Sequence, residues 1–155
     1  MCIAGGKTVA KVGAREIPRV HLTKKEDSKM TACHICGWDF KHDYSVGDIC
    51  PCCNSEYDFT DFLEKGEILE RYCGNDKEKL HNMAPELDGY DDEEYVARDI
   101  TWRFIRLAWI KKGCPFKYPN ETITSWTIED AKKQLASIHY KYDALVPLAN
   151  KIISD

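Results

Sequence analysis

The sequence predicts an α+β fold in which a small cysteine-rich module of short β-hairpins docks on three or four α-helices. Five of the eight cysteines fall between Cys33 and Cys53, and after residue 57 apolar residues recur at the three- and four-residue spacing of amphipathic helices. A hydrophobic fraction of 43% and a charged fraction of 31% are typical of a globular chain. We therefore expect one domain overall, made of residues 1–30, 31–57 and 58–155.

The strongest helix prediction covers the segment that ends at Gly113, where Pro115 prevents continuation. Its apolar residues form two stripes, as expected for a helix sandwiched in a core or shared with a second copy of the chain. The stripes are Val96, Ile100, Phe104, Leu107 and Ala108 on one side, and Trp102, Ile105 and Trp109 on the other. We expect Phe104, Leu107, Trp109 and Leu135 in the core.

Further helices are predicted on both sides of this segment. Between residues 58 and 89 an apolar stripe includes Phe59 and Phe62, with Thr60 as the expected N-cap and Gly74 as the stop. Thr127 and Asp130 have the spacing of a capping box at the start of the last main helix. Pro147 is expected to end the helical pattern before a short tail.

Residues 1–30 are basic and only weakly patterned. Apolar and polar residues alternate on both sides of Gly13, which is typical of a short hairpin, but a basic arm without regular structure fits the same composition. The sequence is compatible with both a short hairpin and a basic arm in this segment.

The cysteine module carries the most specific chemical pattern. Cys33 and Cys36 are separated by two residues, as are Cys50 and Cys53, and each spacing makes a tight turn that directs both sulfurs to one point. Two such turns provide tetrahedral thiolate coordination, which favours Zn²⁺, with iron as an alternative in recombinant material. Because four thiolates leave no position for water, the predicted zinc is structural, and we expect it to contribute about 10 kcal/mol to folding.

Three neighbouring side chains are alternative ligands. Cys52 adjoins Cys53 and could take its place, although Cys50 and Cys53 keep the favoured spacing. His34 lies between two ligands and is expected to point away, and His42 is expected in solvent. The predicted metal ligands are Cys33, Cys36, Cys50 and Cys53.

The segment Ile49–Cys53, preceded by the Cys-x-x-Cys-Gly turn that ends at Gly37, resembles the bacterial cysteine-rich CPCC family of small zinc-binding proteins. A looser similarity extends to the helix that ends at Gly113, to Trp126 and to the Gln134–Leu135 pair. The resemblance implies a bacterial protein with an immunity or accessory role. Two departures stand out: Asn54 replaces the glycine expected after the second turn, and residues 57–90 look like an insertion.

Charge and composition narrow the function. Residues 57–100 carry fourteen acids against five bases, so the middle of the chain is strongly acidic, while residues 1–30 are basic. No apolar run approaches the roughly 18 residues of a membrane span, and no secretory signal is recognisable at the start. We expect a cytoplasmic protein, where clustered cysteines bind metal more often than they form disulfides.

These patterns favour a non-enzymatic protein-binding module, an inhibitor or immunity-type protein of bacterial or phage origin. Acidic residues and aromatic residues expected at the surface suit a basic protein partner; the aromatic residues are Trp38, Phe40, Tyr44, Tyr57 and Tyr90, of which Trp38 and Phe40 are expected to pack the ribbon against the helices. The alternative is nucleic-acid binding through the basic residues 1–30, which the acidic ribbon itself would oppose.

A cysteine-dependent enzyme is the third possibility, and the sequence favours it least. Cys73 or Cys114 would be the nucleophile, with His81 or His139 as the base. Both cysteines lie near predicted helix ends, where a buried structural thiol is the commoner outcome. We predict no catalytic residues.

Overall fold

Five α-helices, one 3-10 helix and two cysteine turns make up the part of the chain that the computed structural model describes, residues 31–120, 123 and 125–153. The helices are α1 (Lys65–Cys73), α2 (Lys77–Met83), α3 (Arg98–Lys111), α4 (Ile128–Ala136) and α5 (Tyr142–Ala149), with the 3-10 helix at Pro85–Gly89. The hairpin or arm predicted for residues 1–30 lies outside the described residues.

The fold is mostly helical, and the described residues contain no β-strands. Antiparallel pairing within this part of the chain is limited to three isolated bridges, Ala32 with Asp39, Ile49 with Glu56, and Glu64 with Tyr95. The first two bridges close the cysteine turns, where the sequence predicted short hairpins. The predicted ribbon is therefore present as two turns, each closed by one bridge.

Helix α1 starts later than the apolar pattern predicts. Its N-cap is Glu64, which forms a reciprocal capping box with Glu67, so the prediction of Thr60 as N-cap is wrong. Residues 57–61 form turns instead, and residues 62 and 63 have no regular structure. Helical periodicity therefore does not apply to Phe59 and Phe62, which are 68% and 49% exposed. The predicted stop at Gly74 is confirmed, with a left-handed φ of 61°.

The sequence predicts the start of α4 correctly but not the end of α5. The capping box of Thr127 and Asp130 opens α4 as predicted. Pro147, however, lies inside α5, so the prediction that it ends the helical pattern is wrong. A proline this close to the helix end removes one hydrogen bond, and burial of Ala149 and Ile152 beyond it offsets that loss.

Helix α3 is the centre of the packing, in contact with α1 and α5. Phe104, Leu107, Trp109 and Leu135 are all buried, as predicted. Tyr72 of α1 stacks on Phe104 with ring centroids 5.6 Å apart. The buried core is continuous from these helices to the cysteine turns, so the turns and the helices share one hydrophobic core.

No helix among the described residues combines the length and the apolar character needed to cross a membrane.

Asp61 is a buried carboxylate among the described residues. Asp61 is 2% exposed and accepts a hydrogen bond of 2.7 Å from the indole Nε1 of Trp102 through Oδ2. Its other oxygen, Oδ1, has no hydrogen-bond partner. Burial raises the pKa of Asp61 above its ordinary value, against the hydrogen bond from Trp102 and the charge of Arg98.

This raised pKa predicts how stability changes with pH. A carboxyl whose folded-state pKa is raised gives its full stability below the unfolded-state pKa and loses it as the pH rises through the folded-state pKa. An asparagine side chain at this position would keep an acceptor for Trp102 without the buried charge, so D61N should be more stable than the wild type at pH 7. Urea unfolding of both proteins at pH 7 measures the difference, and a D61N protein of lower stability would contradict the prediction.

Candidate metal centre

Four thiols converge between the two cysteine turns. The sulfurs of Cys33 and Cys53 are 3.7 Å apart, those of Cys36 and Cys50 are 3.6 Å apart, and all four lie within 4.8 Å of one another. Cys33, Cys36 and Cys50 are buried and Cys53 is half-buried. The structure thus brings together the four cysteines that the sequence predicted as ligands.

Each pair of cysteines is held by the same backbone pattern. In the first turn, Cys33 N donates to Trp38 O at 2.8 Å and Gly37 N donates to Cys33 O at 3.0 Å. In the second turn, Cys50 N donates to Ser55 O at 2.9 Å and Asn54 N donates to Cys50 O at 2.8 Å. The two turns are therefore copies of one local structure.

The residue after each pair adopts a left-handed backbone conformation. Gly37 has a φ of 89° and Asn54 a φ of 67°. Asparagine is one of the few non-glycine residues that adopt this conformation readily. The departure of Asn54 from the family pattern thus preserves the backbone geometry that the turn requires.

The sulfur separations fit a tetrahedral metal ion. Four sulfurs at about 2.3 Å from one zinc ion lie about 3.8 Å apart in a regular tetrahedron. The Cys33–Cys53 and Cys36–Cys50 sulfur pairs are within 0.2 Å of that spacing. The cluster can therefore hold a metal ion such as zinc.

The electrostatics of the cluster also suit a cation. Hydrogen bonding from the neighbouring thiols, Cys36 first, lowers the pKa of Cys33, whereas burial raises the pKa of Cys36. One thiolate is thus stabilised by its neighbours, but further negative charge in this buried space is unfavourable. A divalent cation bound to all four thiolates would offset two of their four negative charges and so reduce the conflict.

Two helices contact the first turn through its carbonyl oxygens. Arg106 of α3, only 4% exposed, donates from Nε to Ile35 O at 2.8 Å and from Nη2 to His34 O at 2.5 Å. Gln134 of α4 donates from Nε2 to Cys36 O at 3.1 Å and to Cys52 Sγ at 3.4 Å. These contacts fix the turn against the helices.

Neither residue was assigned this role from the sequence. Arg106 lies between the apolar pairs Phe104–Ile105 and Leu107–Ala108 of α3, and these apolar neighbours were the available signal of a buried guanidinium. Gln134 appeared only as part of the looser family similarity. The carbonyl groups that both residues bind are not visible in a sequence.

The alternative ligands lie outside the four-thiol cluster. Cys52 is buried and accepts the hydrogen bond from Gln134. His34 stacks on Trp102 with ring centroids 4.0 Å apart, and burial lowers its pKa to about 4. His42 is exposed and its Nδ1 lies 3.0 Å from Asp43 O.

The candidate nucleophiles are buried thiols. Cys73 is 1% and Cys114 0% exposed, and burial raises both pKa values, that of Cys114 to about 12. A nucleophilic cysteine needs the opposite, an accessible thiol of low pKa. Of the two candidate bases, His81 pairs with Asp88 at 2.7 Å.

Of the aromatic residues expected at the surface, Tyr44 is buried and Trp38, Phe40, Tyr57 and Tyr90 are half-buried. Trp38 and Phe40 pack against the core, as predicted. Tyr44 is enclosed because its hydroxyl accepts a hydrogen bond from His34 N at 3.1 Å and its ring stacks on Phe40 at 4.6 Å. The most exposed aromatic side chains among the described residues are instead Phe59, Phe62, Tyr95 and Tyr118.

Comparison of the chain with protein-family models, with curated proteins and with solved structures finds no match. The four-thiol cluster is the feature of the CPCC resemblance that the structure contains.

The zinc content of single variants should distinguish the four predicted ligands from the neighbouring Cys52. We expect about one zinc ion per chain in the wild type, since four thiolates make one closed site. Cys50→Ser should lose most of this zinc, and Cys52→Ser, its matched control, should retain it. Elemental analysis of both variants measures the outcome; equal zinc loss in the two would contradict the assignment of ligands.

Removal of the metal should unfold the cysteine turns. Because structural zinc contributes on the order of 10 kcal/mol to small zinc-bound folds, a strong chelator is expected to abolish the near-ultraviolet circular dichroism of the packed aromatic rings. An unchanged spectrum in metal-free protein would show that the cluster does not depend on a metal.

Gly37 makes the close contact between the first turn and α4. A Cβ at Gly37 would lie 2.3 Å from Gln134 O, whereas a Cβ at Gly47 would meet nothing within 4 Å. Both glycines have φ near 90°, so each alanine substitution carries a backbone cost of about 1–2 kcal/mol. Only Gly37→Ala adds a steric overlap, and we expect it to lose about 3 kcal/mol or more in total. Urea unfolding of the zinc-loaded variants compares them, and equal losses would contradict the packing of α4 on this turn.

Proposed function

We propose that this chain is a non-catalytic protein-binding module in which the four-thiol cluster holds one structural zinc ion. The observation that carries the proposal is an exposed pair of stacked aromatic rings bordered by acidic side chains. Phe62 and Tyr95 are 49% and 52% exposed, with ring centroids 4.4 Å apart and an interplanar angle of 6°. Two large rings held together in solvent are typical of a binding surface.

Backbone pairing places this ring pair beside the acidic run of the sequence. Val96 N donates to Leu63 O at 2.9 Å, and Lys65 N donates to Glu94 O at 3.0 Å, so the chain before α1 lies against residues 92–96. Gly66 N extends the pairing with a 2.8 Å hydrogen bond to Asp92 O. The exposed side chains of Asp92 and Glu93 therefore border Tyr95. We call Phe62, Asp92, Glu93 and Tyr95 the acidic aromatic patch.

The chemistry of the patch indicates the class of partner. Aromatic rings supply the buried contact of an interface, and carboxylates around them favour approach of a positively charged surface. A basic protein, such as one with a groove for nucleic acid, has the complementary charge. Binding of the patch over such a groove would inhibit the partner, which is the role expected of an immunity-type protein.

The metal has a scaffolding role in this proposal. The cluster supplies four sulfur ligands, and a zinc ion bound to all of them has no position for water or substrate. The chain's own residues hold the first turn, because Arg106 donates to Ile35 O and Gln134 donates to Cys36 O. The alternative function, nucleic-acid binding, depends on residues 1–30 and stays a prediction.

Substitution of the ring pair tests the proposal directly. The double variant F62S/Y95S should weaken binding of a partner roughly tenfold or more, since truncation of a central aromatic residue costs about 1–2 kcal/mol. Its matched control is Tyr118→Ser, because Tyr118 is also exposed, at 54%, and lies outside the patch. Both sites are at the surface, so both variants should fold.

The measurement is affinity capture from nuclease-treated bacterial lysate with the zinc-loaded full chain, followed by titration of the captured protein. A basic protein that is lost with F62S/Y95S and kept with Tyr118→Ser supports the proposal. Equal capture by all three proteins would show that the patch is not the interface. Recovery of nucleic acid alone from untreated lysate would favour the alternative function.

A further inference from the structure

A pocket of about 360 Å³ lies between α1, the end of α3 and the second cysteine turn. Its lining includes Arg71, Lys112 and Lys117, and none of the described residues that line it is acidic. The whole chain has a formal charge of −4, so three cations around one cavity are a local reversal of its charge. We call this cavity the basic pocket.

The three cations are available to a ligand to different degrees. Lys112 and Lys117 are exposed. Arg71 Nη2 lies 3.4 Å from Glu67 Oε1, in a pair whose side chains are 50% and 41% exposed. Exposed pairs of this kind are weak, so an anion in the pocket could compete with Glu67 for the guanidinium. We expect the two lysines to contribute more than Arg71.

The rest of the lining is partly apolar. Ile105 and Trp109 of α3 and Pro115 after it face the cavity. A volume of about 360 Å³ is in the range of pockets that hold small organic molecules and much exceeds what one inorganic anion fills. The pocket therefore combines a cationic part with space for an organic group.

The second cysteine turn positions one of the lysines. Lys117 N donates to Cys52 O at 2.9 Å, and Tyr118 N donates to Pro51 O at 2.9 Å. Cys53, a member of the four-thiol cluster, also lines the cavity. The wall that carries Lys117 is thus fixed to the turn that the cluster holds.

We propose that the basic pocket binds a phosphate monoester with an aromatic or apolar body, of the size of a nucleoside monophosphate. A phosphate monoester carries close to two negative charges and three acceptor oxygens, which match three cations better than a single carboxylate does. The organic body contacts Ile105, Trp109 and Pro115. This site shares no residue with the acidic aromatic patch, so it stands independently of the proposed function.

Isothermal titration of the zinc-loaded full chain with AMP, inorganic phosphate and adenosine tests the proposal. We expect AMP to bind more tightly than inorganic phosphate, and adenosine to bind least. Lys112→Gln and Lys117→Gln should each weaken AMP binding about fivefold, the upper range for an exposed charge pair. Lys111→Gln is the matched control, because Lys111 is exposed and adjoins Lys112 in the sequence but does not line the pocket.

Four results would overturn the proposal. These are no detectable AMP binding at millimolar concentration, equal weakening by Lys111→Gln, AMP binding no tighter than that of inorganic phosphate, and displacement of AMP by an oligonucleotide without a terminal phosphate. The last result would assign the pocket to the phosphodiesters of nucleic acid instead of to a phosphate monoester. Thermal unfolding and zinc content, equal in all variants, verify that the substitutions leave the fold intact. F62S/Y95S should bind AMP like the wild type.

Discussion

The convergence of four buried sulfurs is the constraint on which the rest of the structure depends. Thiolates this close together repel one another in a medium that solvates charge poorly, and a bound cation would offset part of that repulsion. The backbone conformation of the two turns allows the four sulfurs to come close together. In each turn the residue after the second cysteine has a left-handed backbone conformation. This residue is Gly37 in the first turn and Asn54 in the second.

The cysteine turns are not an independent module attached to a helical domain. Arg106 and Gln134 bind carbonyl oxygens of the first turn, and Gly37 lies so close to Gln134 that no side chain fits between them. The second turn is joined by the backbone of Lys117. Disruption of either turn therefore affects the helices that contact the turns, because the turns and the helices share one core.

The fold also separates opposite charges into two surfaces of different chemistry. The acidic run next to Tyr95 is brought beside Phe62 by backbone pairing. Arg71 meets Lys112 and Lys117 around a cavity, although Arg71 is far from both lysines in the sequence. A net charge of −4 describes neither surface. A macromolecular partner and a small anion could therefore be bound by the same chain without competing for the same side chains.

The sequence by itself determined the cysteine cluster, the main helix and its core residues, because each depends on local spacing: two residues between cysteines, and three or four between apolar residues of a helix. Only the tertiary structure decided which aromatic rings are exposed. Tyr44 is enclosed by Phe40 and His34, whereas Phe62 is left in solvent because α1 begins at Lys65. The tertiary structure also decided the roles of Arg106 and Gln134, because a hydrogen bond to a distant carbonyl oxygen depends on packing that local spacing does not encode.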